Sequence, residues 1–123
     1  MFKIALVDDH ELFRKSLIFV LEQIETIEVV FDTNDGTLLL QYLQNNTVDL
    51  VLLDIQMPIM DGYTASKAIR ALGINLPIIA LTANLRSDIE VQAFEAGMND
   101  IIVKPFMPEE LYKKVNKYLM HIN

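Results

Sequence analysis

The sequence predicts an α/β protein built on a doubly wound parallel sheet, in which five strands alternate with five helices. Short apolar runs recur along the chain, and their residues are continuously apolar instead of alternating with polar ones. Such strands are typical of parallel sheets that carry helices on both faces. The segments between the runs space their apolar residues at helical intervals. Right-handed crossovers between parallel strands then favour a doubly wound sheet.

Five predicted strands follow one another along the chain. They cover residues 4–7, 28–31, 50–53, 78–81 and 101–103. The second is the weakest prediction, because it depends on a short β-branched run, Val29-Val30, that ends at Asp32. The other four end directly on polar residues, which are in order Asp8, Asp54, Thr82 and Lys104.

Each predicted strand is followed by a predicted helix. The helices cover residues 13–24, 36–43, 65–72, 87–96 and 108–119. Gly73 and Gly97 are suitable stops for the third and fourth helices. The segment 87–90 has the sequence of a capping box, in which Ser87 would cap the fourth helix. Pro108 suits the first turn of the last helix.

Composition indicates one domain and excludes several classes of function. The 123 residues fit a single domain, 1–123, and 52% of them are hydrophobic, which is enough for a core. Cysteine is absent, which excludes disulfides, thiolate zinc sites and a cysteine nucleophile. A net charge of −7 without a basic cluster argues against direct nucleic-acid binding. The apolar runs are too short to span a membrane, and no signal peptide precedes the first strand, so we expect a cytoplasmic location.

Three acidic residues lie at predicted strand ends. Asp8 and Asp9 follow the first strand, and Asp54 follows the third. The carboxyl ends of parallel strands share one edge of the sheet, where ligands bind, so we expect these carboxylates to meet. Two carboxylates about 4 Å apart repel by roughly 4 kcal/mol at an effective dielectric near 20. A proton, a lysine or a metal must offset this repulsion, and Mg²⁺ suits carboxylates that share it with a phosphate.

Two further strand-end residues suit a phosphoryl group. Lys104 supplies a compact positive charge, and Thr82 supplies a hydroxyl donor. Asp54, at the end of the most hydrophobic run, can act as a nucleophile and form an aspartyl-phosphate. His10 follows the acidic pair, but we interpret it as a residue at the rim because Mg²⁺ prefers oxygen ligands.

Five short segments occur in a characteristic order and spacing. They are Val7-Asp8-Asp9, the block Asp54-Ile55-Gln56-Met57-Pro58-Ile59-Met60-Asp61-Gly62, Leu81-Thr82-Ala83, Ala96-Gly97-Met98 and Lys104-Pro105-Phe106. With these segments the chain resembles the receiver domain of two-component response regulators over essentially its whole length. The resemblance implies a flavodoxin-like fold with strand order 2-1-3-4-5. Residues 56–70 and 97–106 are most similar to receivers attached to hybrid histidine kinases. The sequence leaves two alternatives open with equal weight: a stand-alone protein and a domain excised from a longer protein.

The resemblance also implies a phosphoacceptor and a metal site. Asp54 would accept a phosphoryl group from a phosphohistidine on a histidine kinase or a histidine phosphotransfer protein. Asp9, Asp54 and the backbone carbonyl of Gln56 would bind Mg²⁺ directly, and Asp8 would act mainly through water. Such a domain is not an enzyme with a separate substrate, because it catalyses only its own phosphorylation and dephosphorylation.

Three further residues are implied to hold the phosphoryl oxygens. They are Lys104, Thr82 and, through its backbone N–H, Ala83. The Lys104-Pro105 peptide would be cis, as is usual in the family.

Ile101 departs from the family pattern. The family often carries an aromatic residue three positions before the lysine, where it moves together with the threonine. The surface of the fourth helix, fifth strand and last helix is still expected to bind a downstream effector, a fused output domain or a second copy of the chain. Phe106, Tyr112 and Tyr118 are available for this surface, and the alternative interpretation is that most of these aromatic residues serve packing.

Three other functions compete with this interpretation. A Mg²⁺-dependent phosphatase or phosphomutase with an aspartate nucleophile often has a second aspartate two residues later, where this chain has Gln56. A flavin-binding module needs a phosphate loop after the first strand, but residues 8–11 include three acids that would repel a phosphate. A scaffold that works without phosphorylation is disfavoured because every expected site residue is present.

Overall fold

The computed structural model describes residues 1–84 and 86–119 as five strands alternating with five helices. The strands are β1 (Phe2–Val7), β2 (Ile27–Thr33), β3 (Leu50–Asp54), β4 (Ile78–Thr82) and β5 (Asp100–Val103). The helices are α1 (Glu11–Leu21), α2 (Gly36–Asn45), α3 (Gly62–Ala71), α4 (Ser87–Glu95) and α5 (Pro108–Leu119). All ten predicted elements are confirmed, including β2.

The strands form one parallel sheet in the order β2-β1-β3-β4-β5, as predicted. Val7 of β1 lies beside Leu53 of β3, and Asp54 lies beside Leu81 of β4. Thr82 in turn lies beside Val103 of β5. The residues that end or directly follow β1, β3, β4 and β5 therefore share one edge of the sheet.

Side chains of each central strand alternate between two hydrophobic cores. Ile4 and Leu6 pack with α1 and α5 on one face, through residues such as Leu17 and Leu111. Ala5 and Val7 lie on the other face, in the core that includes buried residues of α2, α3 and α4. Both faces of the sheet are buried in hydrophobic cores, which explains why the strands are continuously apolar. Among the described residues, no helix is long and apolar enough to cross a bilayer.

The helix ends correct one prediction. The residue that precedes α4 is Arg86, and no side chain of the described residues caps that helix, so the expected capping box at Ser87 is wrong. Aspartates cap two other helices: Asp35 accepts a hydrogen bond from the N–H of Thr37, and Asp61 from that of Thr64, each at 2.8 Å. These caps satisfy backbone donors of the first turn. Gly97 follows α4 with a φ of 91°, which confirms it as a stop.

Gly62 allows α3 to approach the acidic end of β3. A Cβ at this position would lie 2.6 Å from the carbonyl oxygen of Asp54 and 2.7 Å from the Cα of Ile55. We expect Gly62→Ala to lower the free energy of unfolding by about 2–3 kcal/mol, because rigid backbone must move. Gly73→Ala is the control: it meets nothing within 4 Å but has a φ of 82°, which costs about 1 kcal/mol. Urea unfolding measures both, and equal losses would contradict the prediction.

Candidate functional site

Two acidic residues meet at the carboxyl edge of the sheet. Asp54 is the last residue of β3, and Asp8 directly follows β1. Because Val7 and Leu53 are neighbours in register, Asp8 and Asp54 extend from adjacent strands. Asp8 is fully buried and Asp54 is 2% exposed. Buried carboxylates need a partner, so the contacts around them decide what this edge can do.

Lys104 supplies one such partner. Its Nζ lies 2.9 Å from Oδ2 of Asp8 and 3.6 Å from Oδ2 of Asp54. The same ammonium lies 4.5 Å from the centre of the Phe13 ring, which favours a cation. The ring of Phe13 in turn meets Phe106 edge to face, at 5.9 Å between centroids. The lysine is thus held beside both carboxylates, and its closer partner is Asp8.

The hydrogen bonds of the carboxylate oxygens differ between Asp8 on the one hand and Asp9 and Asp54 on the other. Asp8 has a donor for each oxygen: Oδ1 accepts from the backbone N–H of His10 at 2.8 Å, and Oδ2 accepts from Lys104. Asp54 uses Oδ1 to accept from the N–H of Gln56 at 3.0 Å. Oδ1 of Asp9 and Oδ2 of Asp54 are buried, and no described residue donates a hydrogen bond to either of them. Two orphaned carboxylate oxygens on neighbouring acids are what a divalent cation would satisfy.

The donor set fits a cation. One potential ligand atom from each of Asp8, Asp9, His10 and Asp54 lies within 4.8 Å of all the others. Three of these four residues offer oxygen, which is the ligand that Mg²⁺ prefers. Gln56 is exposed, and its N–H contacts Asp54.

The environment of Asp54 makes its charge costly. Its pKa is raised to about 6, mainly by burial and to a smaller extent by the carboxylates of Asp8 and Asp9. The N–H of Gln56 and the ammonium of Lys104 act in the opposite direction. A bound cation would oppose burial in the same way, because it favours the ionised form.

Thr82 lies at the same edge, at the end of β4. Thr82 is buried, and its hydroxyl forms two hydrogen bonds with the backbone of Asn84. It donates to the Asn84 carbonyl at 3.0 Å and accepts from the Asn84 N–H at 3.1 Å. The backbone N–H of Lys104 donates to the Thr82 carbonyl at 2.6 Å, which joins the two loops. Ala83 is exposed beside Thr82. The Lys104-Pro105 peptide is cis, as expected.

Arg14 and Phe13 are site residues that sequence reasoning missed. Nη1 of Arg14 donates to the Asp8 carbonyl at 2.7 Å, and its Nε donates to Asp32 at 2.8 Å. Arg14 therefore fixes the backbone between the two acids at the end of β1. Both residues lie in a stretch that helical spacing explains as ordinary packing. Only their position directly after Asp8-Asp9-His10 hinted at a role.

The expected partner surface is corrected in part. Phe106 packs on Phe13, and the hydroxyl of Tyr112 donates to the Val20 carbonyl at 3.0 Å, so both face α1 and not α4. Tyr118 does face β5, where its hydroxyl donates to Asp100 at 2.9 Å. Burial, followed by that carboxylate, raises the pKa of Tyr118 to about 12.

A five-stranded parallel sheet in the order 2-1-3-4-5, with an acidic cluster and a lysine at its carboxyl edge, defines a flavodoxin-like domain of the CheY-like class. The family model described as "Response regulator receiver domain" matches residues 4–116. The chain therefore belongs to the response regulator receiver domains of two-component signalling. This confirms the family and the fold predicted from the sequence motifs, and it does not favour the phosphatase alternative.

Relatives and solved structures agree with this assignment. The sensor histidine kinase RcsC of Escherichia coli K12 is 35% identical over 116 residues, which are 94% of this chain and 12% of RcsC. The chain thus spans about an eighth of that relative. A putative response regulator from Chloroflexus aurantiacus is 35% identical, with a TM-score of 0.88 and coverage of 97% of this chain and 98% of the other. The receiver domain of histidine kinase PA1611 from Pseudomonas aeruginosa is 34% identical, with a TM-score of 0.85 and coverage of 96% and 97%. Its structure has a magnesium ion coordinated in the active site cleft.

Proposed function

We propose that Asp54 accepts a phosphoryl group from a phosphohistidine of a histidine kinase or phosphotransfer protein, in a reaction that requires Mg²⁺. The observation that carries this proposal is the buried Asp54 carboxylate, which has one unpartnered oxygen beside the ammonium of Lys104. A carboxylate in this position is available to phosphorus and has a positive charge beside it. The whole chain, 1–123, is proposed to act as one such domain.

The proposed transfer makes one bond and breaks one. A carboxylate oxygen of Asp54 attacks phosphorus, and the P–N bond to the donor imidazole breaks, so the electron pair leaves with the imidazole nitrogen. Lys104 stands where it can neutralise charge on the phosphoryl oxygens, and Asp8 positions Lys104 through the 2.9 Å ion pair. Little covalent work is required of the protein, because positioning and charge neutralisation dominate phosphoryl transfer.

Asp9, Asp54 and the carbonyl of Gln56 would hold Mg²⁺ directly, with Asp8 acting through water. The two carboxylates with an unpartnered oxygen are Asp9 and Asp54, whereas both oxygens of Asp8 already accept hydrogen bonds. This difference supports the division of roles. When bound, the ion supplies positive charge to the carboxylates and to the phosphoryl oxygens.

Thr82 and Ala83 are proposed to donate to the phosphoryl group once it is on Asp54. The hydroxyl of Thr82 donates to the Asn84 carbonyl, so it must exchange that hydrogen bond for one to a phosphoryl oxygen. Such an exchange would move the loop after β4. This movement could transmit phosphorylation of Asp54 to α4 without an aromatic residue at position 101, where the chain has isoleucine.

The proposed partners follow from the family. A histidine kinase or phosphotransfer protein would donate the phosphoryl group, and the surface formed by α4, β5 and α5 would bind an effector, a fused output domain or a second copy of the chain. The domain would catalyse only its own phosphorylation and dephosphorylation. Direct nucleic-acid binding is not proposed, given the net charge of −7. A cytoplasmic location and the choice between a stand-alone and an excised domain stay predictions from the sequence.

The test is phosphorylation by a small acyl phosphate, followed by intact mass spectrometry. We expect one added phosphate with Mg²⁺ and none with EDTA, because the unneutralised acids repel the donor. Asp54→Asn should abolish labelling, whereas Asp88→Asn, which changes an exposed aspartate of α4, should leave it intact. Labelling that survives Asp54→Asn, or that ignores Mg²⁺, would overturn the proposal.

A further inference from the structure

The imidazole of His10 lies directly beside the acidic cluster. Its Nδ1 is 3.2 Å from Oδ1 of Asp9 and 3.4 Å from Oδ1 of Asp8. Oδ1 of Asp9 nevertheless has no hydrogen-bond partner. The histidine side chain is 70% exposed, so packing does not force this orientation.

These separations match two ligands of one metal ion. Ligands about 2.1 Å from an ion are about 3.0 Å apart at an octahedral angle and about 3.4 Å apart at a tetrahedral angle. The distance of 3.2 Å from Nδ1 to Oδ1 of Asp9 falls in that interval. A carboxylate oxygen of Asp54 completes a cluster within 4.8 Å, and no described residue donates a hydrogen bond to the buried Oδ2 of that carboxylate.

The backbone of His10 is already fixed in this position. Its N–H donates to Asp8 at 2.8 Å, and its carbonyl accepts from the N–H of Arg14 at 2.9 Å. The side chain does not cap α1, although His10 occupies the capping position. Only the rotations of the imidazole remain to be ordered on binding, which lowers the entropic cost of using it as a ligand.

We propose that His10 is a metal ligand that makes this site prefer borderline divalent cations, such as Co²⁺, Ni²⁺ or Zn²⁺, over Mg²⁺. The inference rests on the cation site of the proposed function and adds a nitrogen ligand to it. Imidazole nitrogen suits these cations, whereas Mg²⁺ prefers oxygen. Asp9 and Asp54 would bind both Mg²⁺ and the borderline cations, and His10 would bind only the borderline cations. The residue therefore determines metal specificity.

Calorimetric titration with MgCl₂ and with CoCl₂, on tag-free protein at pH 7.5, tests the proposal. Asp9 and Asp54 would bind either ion, so the decisive quantity is the change in each Kd caused by His10→Ala. We expect the Kd for Co²⁺ to rise at least about tenfold, as loss of a metal-site residue typically does, and the Kd for Mg²⁺ to stay within about twofold. The visible absorption of bound Co²⁺ should shift in the same variant, because one nitrogen ligand is lost.

The chain supplies its own matched control. Gln44 is an exposed residue of α2 outside the acidic cluster, and Gln44→Ala should leave both affinities and the Co²⁺ spectrum unchanged. An unchanged Co²⁺ affinity in His10→Ala, or an equal loss for both metals, would overturn the inference while Mg²⁺-dependent labelling of Asp54 stands. Failure of the proposed function has a different result: the wild-type chain would then show no Mg²⁺-dependent labelling at all.

Discussion

Lys104→Met is expected to lower the free energy of unfolding by about 3 kcal/mol at pH 7.5 in EDTA, because removing one partner of a buried ion pair leaves charge uncompensated. The carboxylate of Asp8 is fully buried and accepts from Lys104 at 2.9 Å. Oδ2 of Asp54 lies 3.6 Å from the same ammonium. Methionine keeps an unbranched side chain without the charge, so the loss reports the ion pairs together with the contact between the ammonium and Phe13.

The same variant should be phosphorylated about 10²–10³-fold more slowly, in line with the loss of one electrostatic contact to a transition state. Urea unfolding and the rate of labelling by an acyl phosphate measure the two effects. Lys67→Met, which changes an exposed lysine of α3, is the control and should alter neither. The double variant Asp8→Asn/Lys104→Met should recover much of the stability but not the rate. A single variant with wild-type stability would contradict the ion-pair assignment.

Asp54→Asn is expected to stabilise the protein in EDTA at neutral pH by about 3 kcal/mol, although it removes the proposed phosphoacceptor. The pKa of Asp54 is raised to about 6 in the folded chain, mainly by burial. An unfolded aspartate has a pKa of about 3.9, and each unit of difference corresponds to about 1.4 kcal/mol. The folded chain must therefore bear an ionised carboxylate that the unfolded chain carries without cost.

The sign of the pH dependence follows from this shift. Because the folded chain binds the Asp54 proton more tightly, wild-type stability from this group falls as pH rises from about 4 to about 6. Asparagine does not titrate, so its advantage should be absent near pH 4 and complete above about pH 6.5. Urea unfolding at a series of pH values in EDTA measures the difference. Asp49→Asn, which lies outside the acidic cluster, should not reproduce this profile.

Mg²⁺ should reverse the order of the two proteins. An ion that binds only the folded state stabilises it by an amount that grows with its concentration above the Kd. The wild type should gain this stabilisation, and Asp54→Asn should gain little because one of the two unpartnered oxygens is replaced by an amide group. An equal response of both proteins to Mg²⁺ would argue against Asp54 as a ligand.

The sequence predicted all ten elements and the strand order because local signals and topology rules agree along this chain. β2 was the weakest prediction, yet its β-branched pair indicated the strand correctly. The predicted capping box required Ser87 to precede the first residue of the helix. The helix instead begins at Ser87, so Arg86 occupies the capping position. A four-residue motif cannot fix the first residue of a helix when its caps are solvent-exposed and add only about 1 kcal/mol.

Residue identity and strand position by themselves determined which groups meet at the carboxyl edge: Asp8, Asp54, Thr82 and Lys104 follow apolar runs, and parallel strands bring such ends together. Only the tertiary structure decided how these groups are paired. Lys104 contacts Asp8 more closely than Asp54, and two oxygens are left without a donor. The position of Phe106 against α1, and of His10 beside the acids, also depends on side-chain contacts between distant elements or across a turn. Spacing along the chain does not specify such contacts, since they depend on rotamers and burial that the assembled fold sets.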